Sequence, residues 1–311
     1  MEKILDKVKD FFTKPARKSV RRRSNWYIYL ISFASTLAFL LLIVLAFQDL
    51  LFSHTPNGYN DGWGPQNYTP EKELDVSILF MMGESQGAPP DKYMLVNYRP
   101  KDGAIVLVPL NPHTRLTGTD GNGKITDLYA SGGAKSVVAG IEKTLGIKCR
   151  FVQFERSSFT SFAFTLGKFY VNAIVDFDWE SNGERLVITK GEHALTGSDL
   201  FSYIIYATFP PEHDGYDLTM SGEIVKSLVN TNLKGMDVEA IYGAFMKIVN
   251  NANTDLTSAD YRTYQQALYY TSQSAGNPAH YYLPSGEYDG EEFVLSNQTI
   301  ADILKEFNLL G

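Results

Sequence analysis

Glu84, Asp91, His113, Arg115, Lys124 and Asp127 are polar residues of this chain that could meet at one end of a sheet built from its apolar runs. Carboxylates that hold a hard cation suit phosphate ligands. Arginine and lysine suit them directly, arginine through a flat fork of donors. The set therefore points to phosphate chemistry, provided the fold gathers it at one end of a sheet. The alternative is a scatter of solvated loop residues. Other chemistries lack their signatures: no G-x-S-x-G, H-E-x-x-H, Walker loop or dinucleotide G-x-G-x-x-G occurs. The histidines, His54, His113, His193, His213 and His280, show no metal-ligand spacing, which argues against zinc. Cys149 is the only cysteine, so no intrachain disulfide forms. In the alternating run "IKCRFVQF" it reads as a buried small hydrophobe.

The elements that must position these side chains follow from periodicity. "DVSILFMMG", "YMLVNYR" and "AIVLVPL" predict buried strands, the last two joined by the hairpin-like "RPKDG". "ITDLYASGGAKSVVAGIEKTLGI" predicts a helix with Val137, Val138, Ile141 and Leu145 on one face and Gly146 as its stop. "CRFVQF" predicts a strand, "SSFTSFAFTLG" a short helix and "FYVNAIVDF" another strand. The tail is more helical. "MDVEAIYGAFMKIVNNA" places Ile241, Phe245, Ile248 and Val249 on one stripe. "LTSADYRTYQQALYYT" opens with Thr257 and Asp260 at capping-box spacing. "HYYLPSGEY" reads as extended and "NQTIADILKEFNLL" as a last amphipathic helix. Strands alternating with helices imply an α/β class, with a partly parallel sheet covered on both faces. In such sheets ligands sit beyond the carboxyl ends of strands, which is where "AIVLVPLNPHTRL" delivers its proline, histidine and arginine.

The charge of −7 over 311 residues hides a division. Residues 1–23 hold nine Lys/Arg against three Asp/Glu, a local +6, so the remainder carries −13. A basic head on an acidic body argues against nucleic-acid binding, which needs its positive surface on the folded domain. Between Arg23 and Asp49 no charge occurs, a stretch long enough to cross about 30 Å of hydrocarbon. Trp26, Tyr27 and Tyr29 suit an interfacial belt, and the positive-inside rule puts the head in the cytoplasm. A cleaved signal peptide fits less well, since the stretch is long and no clear A-x-A site follows. The expected organisation is a cytoplasmic basic head (1–24), a transmembrane helix (25–48), a Gly/Pro/Asn-rich linker (49–73) and an extracytoplasmic domain (74–311). Ile4, Leu5, Val8, Phe11 and Phe12 give the head either an amphipathic helix for an anionic leaflet or a disordered basic tail.

The order of segments from about 75 to 308 resembles the LytR–CpsA–Psr family of bacterial cell-envelope proteins. "ILFMMGES", "PDKYMLVNYRPKDGAIVLVPL", "RFVQFERSSFTSFAFTLG" and "LVITKGEHALTGSDLFSYI" carry the resemblance. It implies a single-pass membrane protein with an external α/β/α domain around a mixed sheet. It also implies transfer of a glycopolymer from an undecaprenyl-pyrophosphate carrier to peptidoglycan. Asp91 matches the family's metal-associated aspartate, which implies Mg2+, and Asp217 matches a later aspartate. The departures fall on cations. Pro112 stands where the family's third-strand signature has arginine and His113 where it has aspartate, while Thr114 matches; Pro89 and Pro90 replace Arg-Ser. The stretch "SYIIYATFPPEHDGYDLTMSGEIV" has no arginine at all. A pyrophosphate needs its charge held, and loss of one such donor costs about 10²–10³ in rate. The expectation is a member that binds a polyprenyl-linked glycan, with lost or weakened catalysis. Arg115, Lys124 and His113 are the replacement contacts to consider. The alternatives are a working Mg2+-dependent phosphotransferase using Asp91, Arg115 and Lys124, or a non-enzymatic scaffold or sensory module beside active relatives.

Overall fold

The computed structural model describes residues 68–309, apart from Gln86, residues 119–120, Asn182, residues 211–214 and Ala275. The basic head, the stretch expected to cross the membrane and most of the expected linker lie outside the described residues. Among those described, no helix is long and apolar enough to cross a membrane.

β1 (Val76–Met82), β2 (Lys92–Arg99) and β3 (Ala104–Leu110) form an antiparallel meander. The second turn closes through Gly103, whose φ of 61° is left-handed and costs a glycine no Cβ clash. A small ribbon, β4 (Arg115–Thr117) and β5 (Asn122–Lys124), leads into helix α1 (Ile125–Leu145), and β6 (Arg150–Phe154) returns parallel to β1. Then come α2 (Arg156–Leu166), β7 (Phe169–Ala173), β8 (Phe177–Ser181), β9 (Glu184–Ile188), β10 (Gly191–Leu195) and α3 (Gly197–Tyr206). The tail holds α4 (Tyr216–Asn232), α5 (Val238–Asn251), β11 (Asn253–Thr254), α6 (Ser258–Gln273), β12 (Ala279–Tyr281), β13 (Gly286–Asp289), β14 (Glu292–Leu295) and α7 (Asn297–Glu306). The central sheet is six-stranded and mixed, in the order β11-β6-β1-β2-β3-β12.

Strand alternation sends side chains to two destinations. Leu79, Met81, Tyr93, Leu95, Val106 and Val108 pack with Ile125, Val137 and Ile141 of α1 and Ile303 and Phe307 at the α7 end. Ile78, Phe80, Met94, Val96 and Leu107 face the opposite way, toward the helices α2 to α6. The result is three layers, helices on both faces of one sheet.

Two details differ from the periodicity reading. Helix α1 is broken inside by Gly132 and Gly133, the latter at φ 67°. The single strand expected over "FYVNAIVDF" is two strands in separate ribbons: β7 pairs with β10, β8 with β9. The corner between them is fixed by Asp176, whose carboxylate accepts the Lys190 N–H at 2.7 Å. Gly146 does end α1, at φ 73°.

The Thr257–Asp260 capping box is also present, and both Arg150 nitrogens reach Asp260, at 3.2 and 3.3 Å. Burial pushes the Asp260 carboxyl up, but the bonds from Thr257 and the Arg150 charge outweigh it and hold it below the usual carboxylate range. Such a group contributes stability above its unfolded pKa that disappears as pH falls through the folded one. Asp260→Ala is expected to cost about 1–2 kcal/mol at neutral pH. In urea titrations the gap between native and variant chains will narrow below about pH 4.

Candidate functional site

An apolar cavity of about 320 Å³ lies between the sheet and the helices on its second face. One wall is the alternate set Ile78, Phe80, Met82, Met94, Val96, Ile105 and Leu107. The other includes Val225 and Leu228 of α4, Phe245 and Ile248 of α5, and Phe159 and Phe162 of α2. Protein interiors are normally packed as densely as organic crystals, so an apolar void of this size is a place for an apolar ligand. Among the described residues its one charged lining residue is Lys92, which pairs with Met82 across β1 and β2. That is the end of the sheet where β1 and β6 finish.

Asp91 and Lys92 open β2 at this end. The Asp91 N–H donates to the Met82 carbonyl at 2.9 Å. Gly83 makes room for the approach, since a Cβ there would meet Pro90 Cα at 3.0 Å and Asp91 Oδ2 at 3.5 Å. Lys92 Nζ pairs with Asp217 Oδ2 at 3.4 Å. Asp217 sits in the first turn of α4, so this ion pair links the two walls of the cavity at its mouth. The Asp91 carboxyl is pushed up by desolvation; Lys92 opposes the shift and the Glu84 charge adds to it.

Glu84 follows β1 and belongs to a second cluster that periodicity did not reveal. Arg156 is the first residue of α2, directly beyond β6. It donates to Glu84 through Nη2 at 2.7 Å and Nε at 3.3 Å, and to Ser202 Oγ through Nη1 at 3.0 Å. The Tyr206 hydroxyl donates to the same Glu84 oxygen. The guanidinium lies 4.8 Å from the Phe201 ring centre, 5.7 Å from Trp179 and 5.8 Å from Tyr206. Burial pushes the Glu84 carboxyl up, but Arg156 and Tyr206 together hold it below the usual range.

The remaining candidates gather elsewhere. Arg115 donates to Asp289 at 2.6 Å and to Glu292, and Lys124 pairs with Glu291 at 3.1 Å. These acids belong to the β13–β14 hairpin and its turn. The His113 carbonyl accepts from Phe293 N–H at 2.8 Å while its side chain is exposed. Asp127 is exposed and raises the pKa of Lys124 less than Glu291 does. The six sequence candidates thus divide: Asp91 lies beside Lys92 at the cavity mouth, with Glu84 of the second cluster acting on its carboxyl, while Arg115, Lys124 and the His113 backbone meet the hairpin and Asp127 acts on Lys124. Asp217 joins the first group, with Lys92 and Arg156 as its cations. A signal for Arg156 was present in "FERSSF", a charged residue just past a strand's carboxyl end.

No three His, Cys, Asp or Glu side chains among the described residues are grouped to hold a metal by themselves. Asp91 forms no ion pair among those residues. One free carboxylate fits the Mg2+ mode, in which one or two carboxylates share the ion with ligand phosphates and water. It does not fit an all-protein cage.

The same arrangement of sheet and helices occurs in known proteins. The crystal structure of a protein from Eubacterium siraeum DSM 15702 superposes with a TM-score of 0.71 at 20% identity, over 78% of this chain and 94% of that one. B. subtilis TagV does so with a TM-score of 0.63 at 21% identity, over 77% and 98%. In sequence, a polyisoprenyl-teichoic acid–peptidoglycan teichoic acid transferase, TagU, of Bacillus mycoides (strain KBAB4) is 24% identical over 204 residues. That match covers 63% of this chain and 66% of the relative, just under two thirds of its length. Residues 66–305 match the LytR_cpsA_psr family. Since that match spans the sheet, both walls of the cavity and its mouth, the chain belongs to the LytR_cpsA_psr family.

Proposed function

We propose that this chain is a membrane-anchored extracytoplasmic protein of cell-envelope glycopolymer assembly. In this reading it holds a polyprenyl-phosphate-linked glycan, with transfer to peptidoglycan lost or weakened. The observation that carries the reading is the apolar cavity with a lysine at its mouth. A prenyl chain fills the cavity, its phosphate meets Lys92, and the glycan extends into solvent. The polyisoprenyl-teichoic acid named for the Bacillus mycoides relative has this make-up, a long apolar chain joined to a polar polymer. The uncharged stretch 24–48 would keep the domain at the membrane where such lipids reside.

Weak catalysis follows from the charge at the mouth. Glu84, Asp91 and Asp217 face two cations, Lys92 and Arg156, and each cation is already paired with a carboxylate. A diphosphate entering this site meets no surplus positive charge. Asp91 is the residue we assign to Mg2+. When bound there, the ion would neutralise phosphate oxygens and the developing charge on a leaving phosphate. Lys92 would orient the headgroup by releasing Asp217. Lys92 lines the cavity, whereas Arg115 and Lys124 do not and pair with the hairpin acids, so we give the headgroup to Lys92 before them.

The test uses the full chain in detergent with a polyprenyl-pyrophosphate lipid and Mg2+. The expected result is measurable lipid binding with phosphate release at the level of buffer. Rapid release that Asp91→Ala abolishes would instead establish a working phosphotransferase. Failure to bind the lipid would leave a protein-interaction role.

A further inference from the structure

We infer that Arg156 and the Tyr206 hydroxyl form the diphosphate-contacting set of this chain, with the buried Ser202 holding the guanidinium in place, and that Glu84 occupies this set as an internal competitor. The inference rests on the headgroup reading above and names the side chains that take the headgroup charge.

The guanidinium is fixed before any ligand arrives. It lies over Phe201, Trp179 and Tyr206, and Trp179 stacks on Tyr206 with ring centres 4.6 Å apart and planes 13° apart. A cation held against aromatic faces gains attraction from each ring, and its planar fork loses little further freedom on binding an anion. The donors also converge. Two Arg156 nitrogens and the Tyr206 hydroxyl point at one carboxylate, while the third nitrogen, Nη1, donates to Ser202 Oγ and anchors the guanidinium. A fork plus a hydroxyl on paired oxygens is equally the geometry that a phosphate accepts. The occupant, Glu84, stands on a loop beyond β1 with its side chain 41% exposed, so it can leave without exposing a core.

Position joins this set to the cavity. Arg156 opens the helix that sends Phe159 and Phe162 into the cavity wall. Phe159 packs on Phe201, with ring centres 5.8 Å apart, and Phe201 in turn lies under the guanidinium. Glu84 acts electrostatically on Asp91, the neighbour of Lys92. A diphosphate emerging past Lys92 therefore meets Arg156 next, provided Glu84 gives way. Glu184, 3.7 Å from Nη1, adds a second carboxylate on the β8–β9 hairpin.

A purely structural Arg156 would tie the loop after β1 to α3, and its partners would not affect anion affinity. The full chain in detergent is titrated with inorganic pyrophosphate and, separately, with a polyprenyl pyrophosphate. Glu84→Gln keeps the size of the competitor and removes its charge; it should bind pyrophosphate about 10-fold tighter than the native chain. Arg156→Lys keeps the charge and loses the fork; it should bind about 10-fold weaker. Arg185→Gln, on an exposed pair with Asp178 in the same hairpin, should match the native chain. Native affinity in both Glu84→Gln and Arg156→Lys overturns the inference, as does absence of pyrophosphate binding in the native chain and Glu84→Gln alike. The lipid arm separates the two readings. Equal lipid binding by native and Arg156→Lys chains refutes the role of Arg156 and leaves the cavity reading standing. Loss of lipid binding in every chain, with the pyrophosphate pattern intact, refutes the cavity reading and assigns Arg156 to a soluble diphosphate.

Discussion

Val225→Trp is expected to weaken polyprenyl-phosphate binding at least 100-fold while leaving the chain folded. Val225 projects from α4 into the cavity, opposite the sheet wall of Phe80, Val96 and Leu107. An indole there occupies space that a prenyl chain needs. Excluding only four methylene groups, at about 0.8 kcal/mol each, removes about 3 kcal/mol, which exceeds a 100-fold change in Kd. Filling an apolar void does not destabilise when the new side chain fits, and commonly stabilises. The variant should therefore melt at or above the native temperature. Calorimetric titration with the lipid, paired with a thermal melt, checks both halves. Undiminished binding in a folded Val225→Trp chain would place the lipid elsewhere.

Leu79→Ala should do the reverse: a large loss of stability with binding preserved. Leu79 is fully buried in β1, a strand bonded on both edges, and it faces α1, away from the cavity. Deleting its side chain opens a void in a layer with little room to collapse, at about 3–4 kcal/mol. For a domain of this size that corresponds to a fall in Tm of roughly 6–16 °C. Well below the transition the lipid affinity should stay within about 2–3-fold of native, because alternation keeps the two faces of β1 separate. Affinity that fell in step with stability would show that the two faces are coupled.

Only part of what these two variants rest on was legible in the sequence: the strands were, while α4, which carries Val225, was not. The apolar runs 75–83, 93–99 and 104–110 gave their strands, and Gly146 and the Thr257–Asp260 pair marked real helix ends. Such signals are local, so a single chain displays them. The destination of each strand face was harder to read. Both faces of β1 and β2 are apolar, and only packing shows that one is filled by α1 while the other borders a void. The charged groups were harder still. Arg115 stands past the end of β3 as a ligand-binding residue would, yet its partners Asp289 and Glu292 lie 174 and 177 positions away. Arg156 occupies the equivalent place after β6, and its aromatic cage comes from β8 and α3. At the break between β7 and β8, the Asp176 carboxylate accepts the N–H of Lys190, 14 residues further on. Distance in sequence, more than weakness of the contacts, hid these pairings.

The central claim is that the apolar cavity between sheet and helices takes a lipid chain whose phosphate lies at Lys92. The most direct measurement is the Kd of the full chain for a series of polyprenyl monophosphates of increasing length. The account predicts that affinity rises with each added isoprene unit and then levels off once the cavity is full. Affinity independent of chain length, with the shortest member binding as tightly as the longest, would contradict it.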